Sequence, residues 1–407
     1  VSIGKGANSV AGNTVLGESA LDAAVSGGNN TAVGKDTLTA NTSGIRNVAV
    51  GSGALAANTT GSKNIAIGYA SLDAATTAEG NTAVGYNSLT ANTSGASNVG
   101  IGLDALIANT EGDNNTALGA NALDANTTAD NNTAVGKAAL GANTTGSGNA
   151  AVGTNALLAN TSANNNTAMG NGALAANTIA GNNSALGSGA LAANITGTSL
   201  TAVGYQALDG ATAVNYSVAV GSGALGGASL SGDNNTCVGH NAGHLISSGQ
   251  KNTCIGTDAG NVITTGDNNI VLGNNADPAS ASAGNSITLG DSNIGSIRCQ
   301  VQTISSLSDE RDKTDIVDSE DGLDLINLLK PRKFTWAMRT PSANDGTTHL
   351  GFIAQELDAA LGTKNDYIHA VLKENPNKLE AAYGRFIPIM VKAIQELSAK
   401  VTALEAG

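Results

Sequence analysis

Apolar and polar positions recur along the first 290 residues with a period of 17. A motif of the form Asn-Thr-Ala-Val-Gly opens each unit, and its glycine falls at every seventeenth residue from Gly17 to Gly221. After one extra residue the series continues at Gly239, Gly256, Gly273 and Gly290. Self-similarity at a short fixed period indicates a repeat architecture, in which each unit packs against its neighbours.

The pattern inside the unit predicts short strands joined by turns. With the motif asparagine numbered zero, position three is a large apolar residue in every unit, and position two is Ala in eleven of the first thirteen. Position one is usually β-branched, so positions one to three predict a strand with Thr and Val on one face and Ala on the other. Position eight is Leu in thirteen successive units, from Leu21 to Leu225. Two short strands and two turns per unit predict a mainly β fold, a parallel β-solenoid or β-roll of 17-residue coils, forming a rod roughly 80 Å long.

Position eleven is Asn in nine coils and predicts a ladder of stacked amides along the rod. Such a ladder satisfies backbone groups at the turns that would otherwise lack partners. The nine residues are Asn41, Asn58, Asn92, Asn109, Asn126, Asn143, Asn160, Asn177 and Asn194.

The thin core predicted for one coil favours association with other chains. Each coil offers one Val or Leu pair plus alanines, and the Ala face permits close approach of another backbone. We therefore predict that three rods pack through their Ala faces about a threefold axis, with a lone β-helix as the alternative. The strands resemble those of the β-roll heads of trimeric autotransporter adhesins, as in Asn47-Val48-Ala49-Val50-Gly51. This resemblance covers roughly residues 1–290.

Composition changes near residue 307. All three Phe and the only Trp, Trp336, lie in the last 100 residues, which also hold 28 charged residues against 23 in residues 1–307. We predict a repeat rod at 1–290, a β neck at 291–307 and a second domain at 308–407.

Charge and hydropathy exclude two classes of partner. The net charge is −13 and no basic run occurs, so we expect no nucleic-acid binding. No apolar stretch approaches the roughly 20 residues of a membrane helix, so we expect no membrane insertion.

The positions of the histidines and cysteines lead us to predict no bound metal or cofactor. His240 and His244 could bind a metal only where three copies converge, and a surface turn is the favoured interpretation. Cys237 and Cys254 occupy the Ala position of adjacent coils and are interpreted as small apolar filler.

The last 100 residues resemble the self-cleaving intramolecular chaperone domain of phage endosialidases, tail spikes and neck appendages. Four stretches carry the resemblance: the run from Ser308 to Lys313, then residues 322–336, 350–357 and 386–404. The resemblance implies cleavage of the bond between Leu307 and Ser308 by a Ser/Lys dyad, with Ser308 as nucleophile and Lys313 as base. Residues five apart lie on different sides of a helix or strand, so a turn must bring the pair together. A charged surface loop is the alternative.

The final segment predicts a coiled-coil helix that begins near Pro388. Its apolar residues follow the spacing of heptad a and d positions, and three parallel strands would match the rod. An amphipathic helix docked on its own domain is the alternative. The predicted trimerisation residues are Ile387, Met390, Ile394, Leu397, Val401 and Leu404.

Together these features predict a structural virion tail fibre or spike that ends in a small α+β chaperone domain. The fibre would be a homotrimer assembled in the host cytoplasm, and it would bind a host cell-surface receptor, either glycan or protein. Other virion tail proteins would bind through an N-terminal region preceding Val1. Any enzymatic activity would be a single turnover of autoproteolysis. The alternatives are a bacterial trimeric surface adhesin and a fibre that retains its chaperone domain uncleaved.

Overall fold

The computed structural model describes residues 3–227, 229–294, 308–335, 346–373 and 379–406. They form two compact units, Val1–Leu289 and Gly290–Gly407. Residues 295–307, which include most of the predicted β neck at 291–307 and also Leu307, lie outside the described residues.

The first unit is a parallel β-solenoid of 17 stacked three-residue strands. A short strand β1 (Ile3–Gly4) pairs antiparallel with the first of them. Each further strand pairs in register with the next coil, so that Ala49 lies opposite Ala66. The strands β2 to β18 are Thr14–Leu16, Thr31–Val33, Val48–Val50, Ile65–Ile67, Thr82–Val84, Val99–Ile101, Thr116–Leu118, Thr133–Val135, Ala150–Val152, Thr167–Met169, Ser184–Leu186, Thr201–Val203, Val218–Val220, Thr236–Val238, Thr253–Ile255, Ile270–Leu272 and Ile287–Leu289. The predicted fold class is confirmed for this unit.

Within the described residues from β2 onward each coil holds one strand, so the expectation of two strands per coil is wrong. Positions six and eight adopt positive φ angles, such as 52° at Asn87 and 55° at Leu89, and the chain turns there instead of extending. A leucine whose backbone adopts the left-handed conformation destabilises the folded chain by roughly 1–2 kcal/mol. Complete burial of its side chain, worth about 1.5–3 kcal/mol, offsets that cost, and Leu89 is fully buried.

The alanines of position two face the interior of each coil, so the predicted packing of Ala faces between chains is wrong. Ala49 and Ala66 are fully buried, whereas Val50 and Ile67 beside them face outward. The interior leaves room for little more than a methyl group at this position. At Gly100 an added Cβ would lie 2.7 Å from Oγ of Ser88.

Two asparagine ladders line the interior, of which the sequence predicted one. At position eleven, Nδ2 of Asn58 donates to Oδ1 of Asn41 at 2.8 Å and to the carbonyl of Gly61 at 3.0 Å. At position zero, Asn47 Nδ2 donates to the same carbonyl at 2.9 Å, and its Oδ1 accepts from the N–H of Asn64. The predicted ladder is confirmed, and the motif asparagine forms a second one.

The motif glycine is required by both backbone angle and close approach. Gly51 has a φ of 134°, and an added Cβ would lie 2.2 Å from the carbonyl oxygen of Gly68 in the next coil. Any side chain here would therefore separate the coils.

Within its described residues the second unit combines four α-helices with two small antiparallel sheets. The helices are α1 (Leu323–Leu328), α2 (Ala354–Leu361), α3 (Asn365–Ile368) and α4 (Ile387–Glu405). One sheet pairs β19 (Arg332–Thr335) with β20 (Thr348–Gly351), and the other pairs β21 (Val371–Leu372) with β22 (Glu380–Ala381). The core comprises Leu325, Leu357, Leu361, Ile368, Ala370, Val371, Phe386 and Ile389.

Candidate functional site

The segment that begins at Ser308 folds into a tight turn. Asp309 is extended, and its side chain accepts a hydrogen bond from the N–H of Arg311, which caps a 3-10 turn at Glu310–Asp312. The turn ends at Lys313, whose N–H donates to the carbonyl of Glu310. This is the turn that the five-residue spacing required.

The turn places Lys313 against Ser308. The Nζ atom of Lys313 lies 2.6 Å from Oγ of Ser308 and 3.3 Å from its carbonyl oxygen. Both residues are exposed in the single chain. An amine and a hydroxyl at hydrogen-bond distance have the geometry that a base and a nucleophile need. Leu307, on the other side of the predicted scissile bond, lies outside the described residues.

Asp309 and Arg311 form a clamp across this turn. Oδ1 of Asp309 accepts from Nε of Arg311 at 3.0 Å, and Oδ2 accepts from Nη2 at 2.5 Å. Hydrogen bonds from Arg311 lower the pKa of Asp309, and the same carboxylate raises the pKa of Arg311. The sequence analysis missed this pair, although an Asp directly before a short turn is a familiar capping signal.

A buried carboxylate anchors the chain between this turn and helix α1. Asp321 is 8% exposed and accepts hydrogen bonds from Lys364 Nζ and the Tyr367 hydroxyl. Burial by itself raises the pKa of Asp321, but the hydrogen bonds from Lys364 and Tyr367 outweigh burial and lower it. The segment that follows the Ser308–Lys313 turn is thereby tied to α3 and to the turn before it.

Helix α4 has two apolar faces. Ile389 and Ala393 are buried in the domain, whereas the predicted trimerisation residues lie on the exposed side. The exposed fractions of Ile387, Met390, Ile394, Leu397, Val401 and Leu404 range from 44% to 81%. Docking on its own domain therefore does not use the heptad residues, and the heptad face has no partner within the described single chain.

The surface of the rod carries no metal cluster among the residues that the structure describes. His240 is exposed, and Nδ1 of His244 lies 3.1 Å from the carbonyl of Gly223. Cys237 and Cys254 face each other across adjacent strands as buried free thiols. None of the described helices is both long and apolar enough to cross a membrane.

Residues 308–365 match the family model described as chaperone of endosialidase. The match begins at Ser308 and extends into α3. This family comes from phage tail proteins and implies trimer formation. Comparison with curated proteins and with solved structures finds no significant match.

Proposed function

We propose that the chain is one protomer of a trimeric virion tail fibre or spike for host attachment. Its C-terminal domain drives trimerisation and then cuts itself from the rod before Ser308. The observation that carries this proposal is the 2.6 Å contact between Ser308 and Lys313 at the first residues of the matched chaperone segment.

Cleavage follows from the chemistry of this pair. Neutral Lys313 takes the hydroxyl proton while Oγ of Ser308 attacks the carbonyl carbon of Leu307. The C–N bond breaks, the Ser308 nitrogen leaves as an amine with that proton, and an ester joins Leu307 to Oγ. Water then hydrolyses the ester, which releases a Leu307 carboxylate and a free Ser308 hydroxyl.

The exposure of the pair supports a role for assembly in this reaction. An amine acts as a base only when neutral, and burial favours its neutral form. Ser308 and Lys313 are exposed in the single chain, so contacts with other protomers must supply the burial. The same exposure favours the second candidate, a fibre that retains its chaperone domain uncleaved.

The exposed heptad face of α4 supports a trimeric fibre over other classes of protein. A solenoid built from contacts between distant residues folds slowly and can lose register. A C-terminal trimeriser raises the effective concentration of the other chains and lowers that risk. The finished rod would then present its surface to a host receptor, glycan or protein, and bind other virion tail proteins. A bacterial trimeric adhesin remains the alternative outside virions.

Deletion of residues 308–407 at two stages tests the proposal. Expression without them should give insoluble or misassembled rod. Protease removal of the same residues after assembly should leave a soluble trimer, because the coils hold each other once formed. A correctly assembled trimer expressed without the domain would contradict a chaperone role. Assembled fibres should also bind host cells, whereas the same chain in its unassembled, monomeric form should not.

A further inference from the structure

The asparagine ladder at position eleven is interrupted at Ala75. One coil earlier, Nδ2 of Asn58 donates a hydrogen bond of 2.8 Å to Oδ1 of Asn41 and another of 3.0 Å to the carbonyl of Gly61. Both hydrogens of the ladder amide are therefore used in a regular coil. Ala75 carries no amide, so its coil lacks these two donors and the acceptor beside them.

The interruption leaves three polar groups with unused hydrogen-bonding capacity. Oδ1 of Asn58 is buried and has no hydrogen-bond partner in the described part of the chain. Among the described residues, the carbonyl of Ala78 accepts a side-chain hydrogen bond from Asn64 alone, whereas the equivalent carbonyl of a regular coil accepts from two amides. Nδ2 of Asn92, in the following coil, donates one hydrogen to the carbonyl of Gly95 and has its second hydrogen left over. These are the three groups that an amide at residue 75 would bond.

The groups around Ala75 are closed off from solvent. Asn58, Ala75 and Asn92 are fully buried, and Ala78 is 1% exposed. Native proteins pair nearly all buried polar groups, and a buried water with two to four polar partners commonly does so. The side chain that Ala75 lacks is one carboxamide group, and its volume is of the same order as the roughly 30 Å³ that a water takes up in the liquid.

We propose that the coil of Ala75 binds one buried water molecule in place of the ladder amide. The water donates its two hydrogens to Oδ1 of Asn58 and to the carbonyl of Ala78, as the amide of Asn58 does to the equivalent groups one coil earlier. Its lone pairs face the remaining N–H of Asn92. A cation of similar size is disfavoured, because this N–H is a donor and directs its partial positive charge into the site.

The coil of Ala211, where the ladder stops, offers a comparison. There Oδ1 of Asn194 already accepts a hydrogen bond of 3.0 Å from the N–H of Gly197. The motif asparagine of this coil is replaced by Leu200 and position fourteen is Val214, and both are buried. This coil therefore combines apolar contacts with a paired acceptor, and we expect no water in it.

A high-resolution crystal structure of the full chain, from crystals grown without ammonium salts, tests the site directly. We expect density for one water at roughly 2.5–3.0 Å from Oδ1 of Asn58 and from the carbonyl oxygen of Ala78. The coil of Ala211 should show no such density. Well-ordered side chains without a water beside Ala75 would overturn the proposal.

Two substitutions of Ala75 test the site in solution, whatever the oligomeric state of the chain and whether or not it is cleaved. Ala75→Asn restores the ladder bonds and releases the water, so the thermal midpoint of the rod by circular dichroism should rise roughly 2 °C or more. Ala75→Val displaces the water without supplying a donor and should lower the midpoint. Ala211→Asn, the matched control, should not raise it. A midpoint that rises for Ala75→Val and falls for Ala75→Asn would show that the space is dry and would overturn the proposal.

Discussion

Glu396 on helix α4 accepts a hydrogen bond of 2.8 Å from the backbone N–H of Leu323, the first residue of helix α1. The carboxylate thus caps the start of α1, where backbone N–H groups lack partners within the helix. Together with buried Ile389 and Ala393 it fixes one face of α4 to the domain. A second face, which carries Ile394 and Leu397, is exposed in the single chain.

The two faces of α4 predict two separable effects of mutation. Ile394→Asp with Leu397→Asp should lower the trimeric fraction at least roughly tenfold, because charge at a and d positions opposes a helical seam, while the domain stays folded. Glu396→Ala should instead destabilise the domain by about 1 kcal/mol through loss of the cap. Native mass spectrometry measures the first effect and tryptophan fluorescence the second.

The matched control for the seam is Gln395→Asp with Ala399→Asp, which adds the same charge at exposed α4 positions outside the heptad set. An unchanged trimer in the Ile394 and Leu397 double variant would show that α4 does not hold the chains together. The variants must be present during expression, because the prediction concerns the step in which the chains assemble.

Substitution of the Ser308–Lys313 pair should stop cleavage and spare assembly. Ser308→Ala removes the nucleophile, and Lys313→Arg keeps the charge but offers no neutral base. Each should slow release of a C-terminal fragment roughly 100-fold or more. Gel electrophoresis and N-terminal sequencing of the fragment, expected to begin at Ser308, provide the measurement. Lys330→Ala is the control, since Lys330 is exposed in the same domain.

Retention of the domain is a separate outcome. If wild-type protein forms trimers and stays intact on long incubation, autoproteolysis is absent and the chaperone domain is a permanent part of the fibre. Cleavage that persists in Ser308→Ala would place the nucleophile elsewhere.

The repeat made most of the rod predictable from the sequence, because period and β-branched composition fix strand position and stacking. Which face of each strand points into the coil was not predictable in this way. In a strand of three residues, Thr-Ala-Val alternation allows either face to be inside. Leu89 and its equivalents enter the interior from a left-handed turn and occupy much of its volume. The strand face that points inward must therefore carry a small residue, which is Ala.

Two late coils show how the interior volume is shared. Position eight is Gly243 instead of Leu, and an added Cβ there would lie 2.5 Å from Sγ of Cys237 and 3.0 Å from Cδ1 of Ile246. Cys at position two and Ile at position eleven thus fill the space that Leu vacates, and the next coil repeats the exchange. The sequence predicted that Cys237 fills space in the interior. Only the packing within the coil shows that Gly243 makes room for it.

The pH dependence of the domain follows from Asp321. Its pKa is lower in the folded state than in the unfolded chain, so its contribution to stability is present above the unfolded value of about 3.9. That contribution is lost as pH falls towards the folded value. We expect the domain to melt at lower temperature near pH 3 than near pH 6.

Asp321→Asn should lower the melting temperature near pH 6 and flatten this dependence. The only Trp of the sequence, Trp336, lies outside the repeats, so tryptophan fluorescence carries no signal from the rod. Asp318→Asn is the control, because Asp318 is an exposed carboxylate in the same segment of the chain. Equal pH slopes for wild type and Asp321→Asn would contradict the role of Asp321.

The second asparagine ladder predicts the strongest effect of a single polar truncation in the rod. Asn98 Nδ2 donates to the carbonyl of Gly112 at 2.7 Å, and its Oδ1 accepts from the N–H of Asn115 in the next coil at 2.9 Å. Asn98→Ala would leave the buried N–H of Asn115 without a partner, at a cost of about 1–3 kcal/mol. The carbonyl of Gly112 would keep the hydrogen bond of 3.0 Å from Nδ2 of Asn109. Thermal unfolding followed by circular dichroism should show a lower midpoint for Asn98→Ala. Thr128→Ala, which truncates an exposed polar residue of the same rod, should unfold like wild type. Equal midpoints for the two variants would show that water reaches the interior of the coil and replaces the amide.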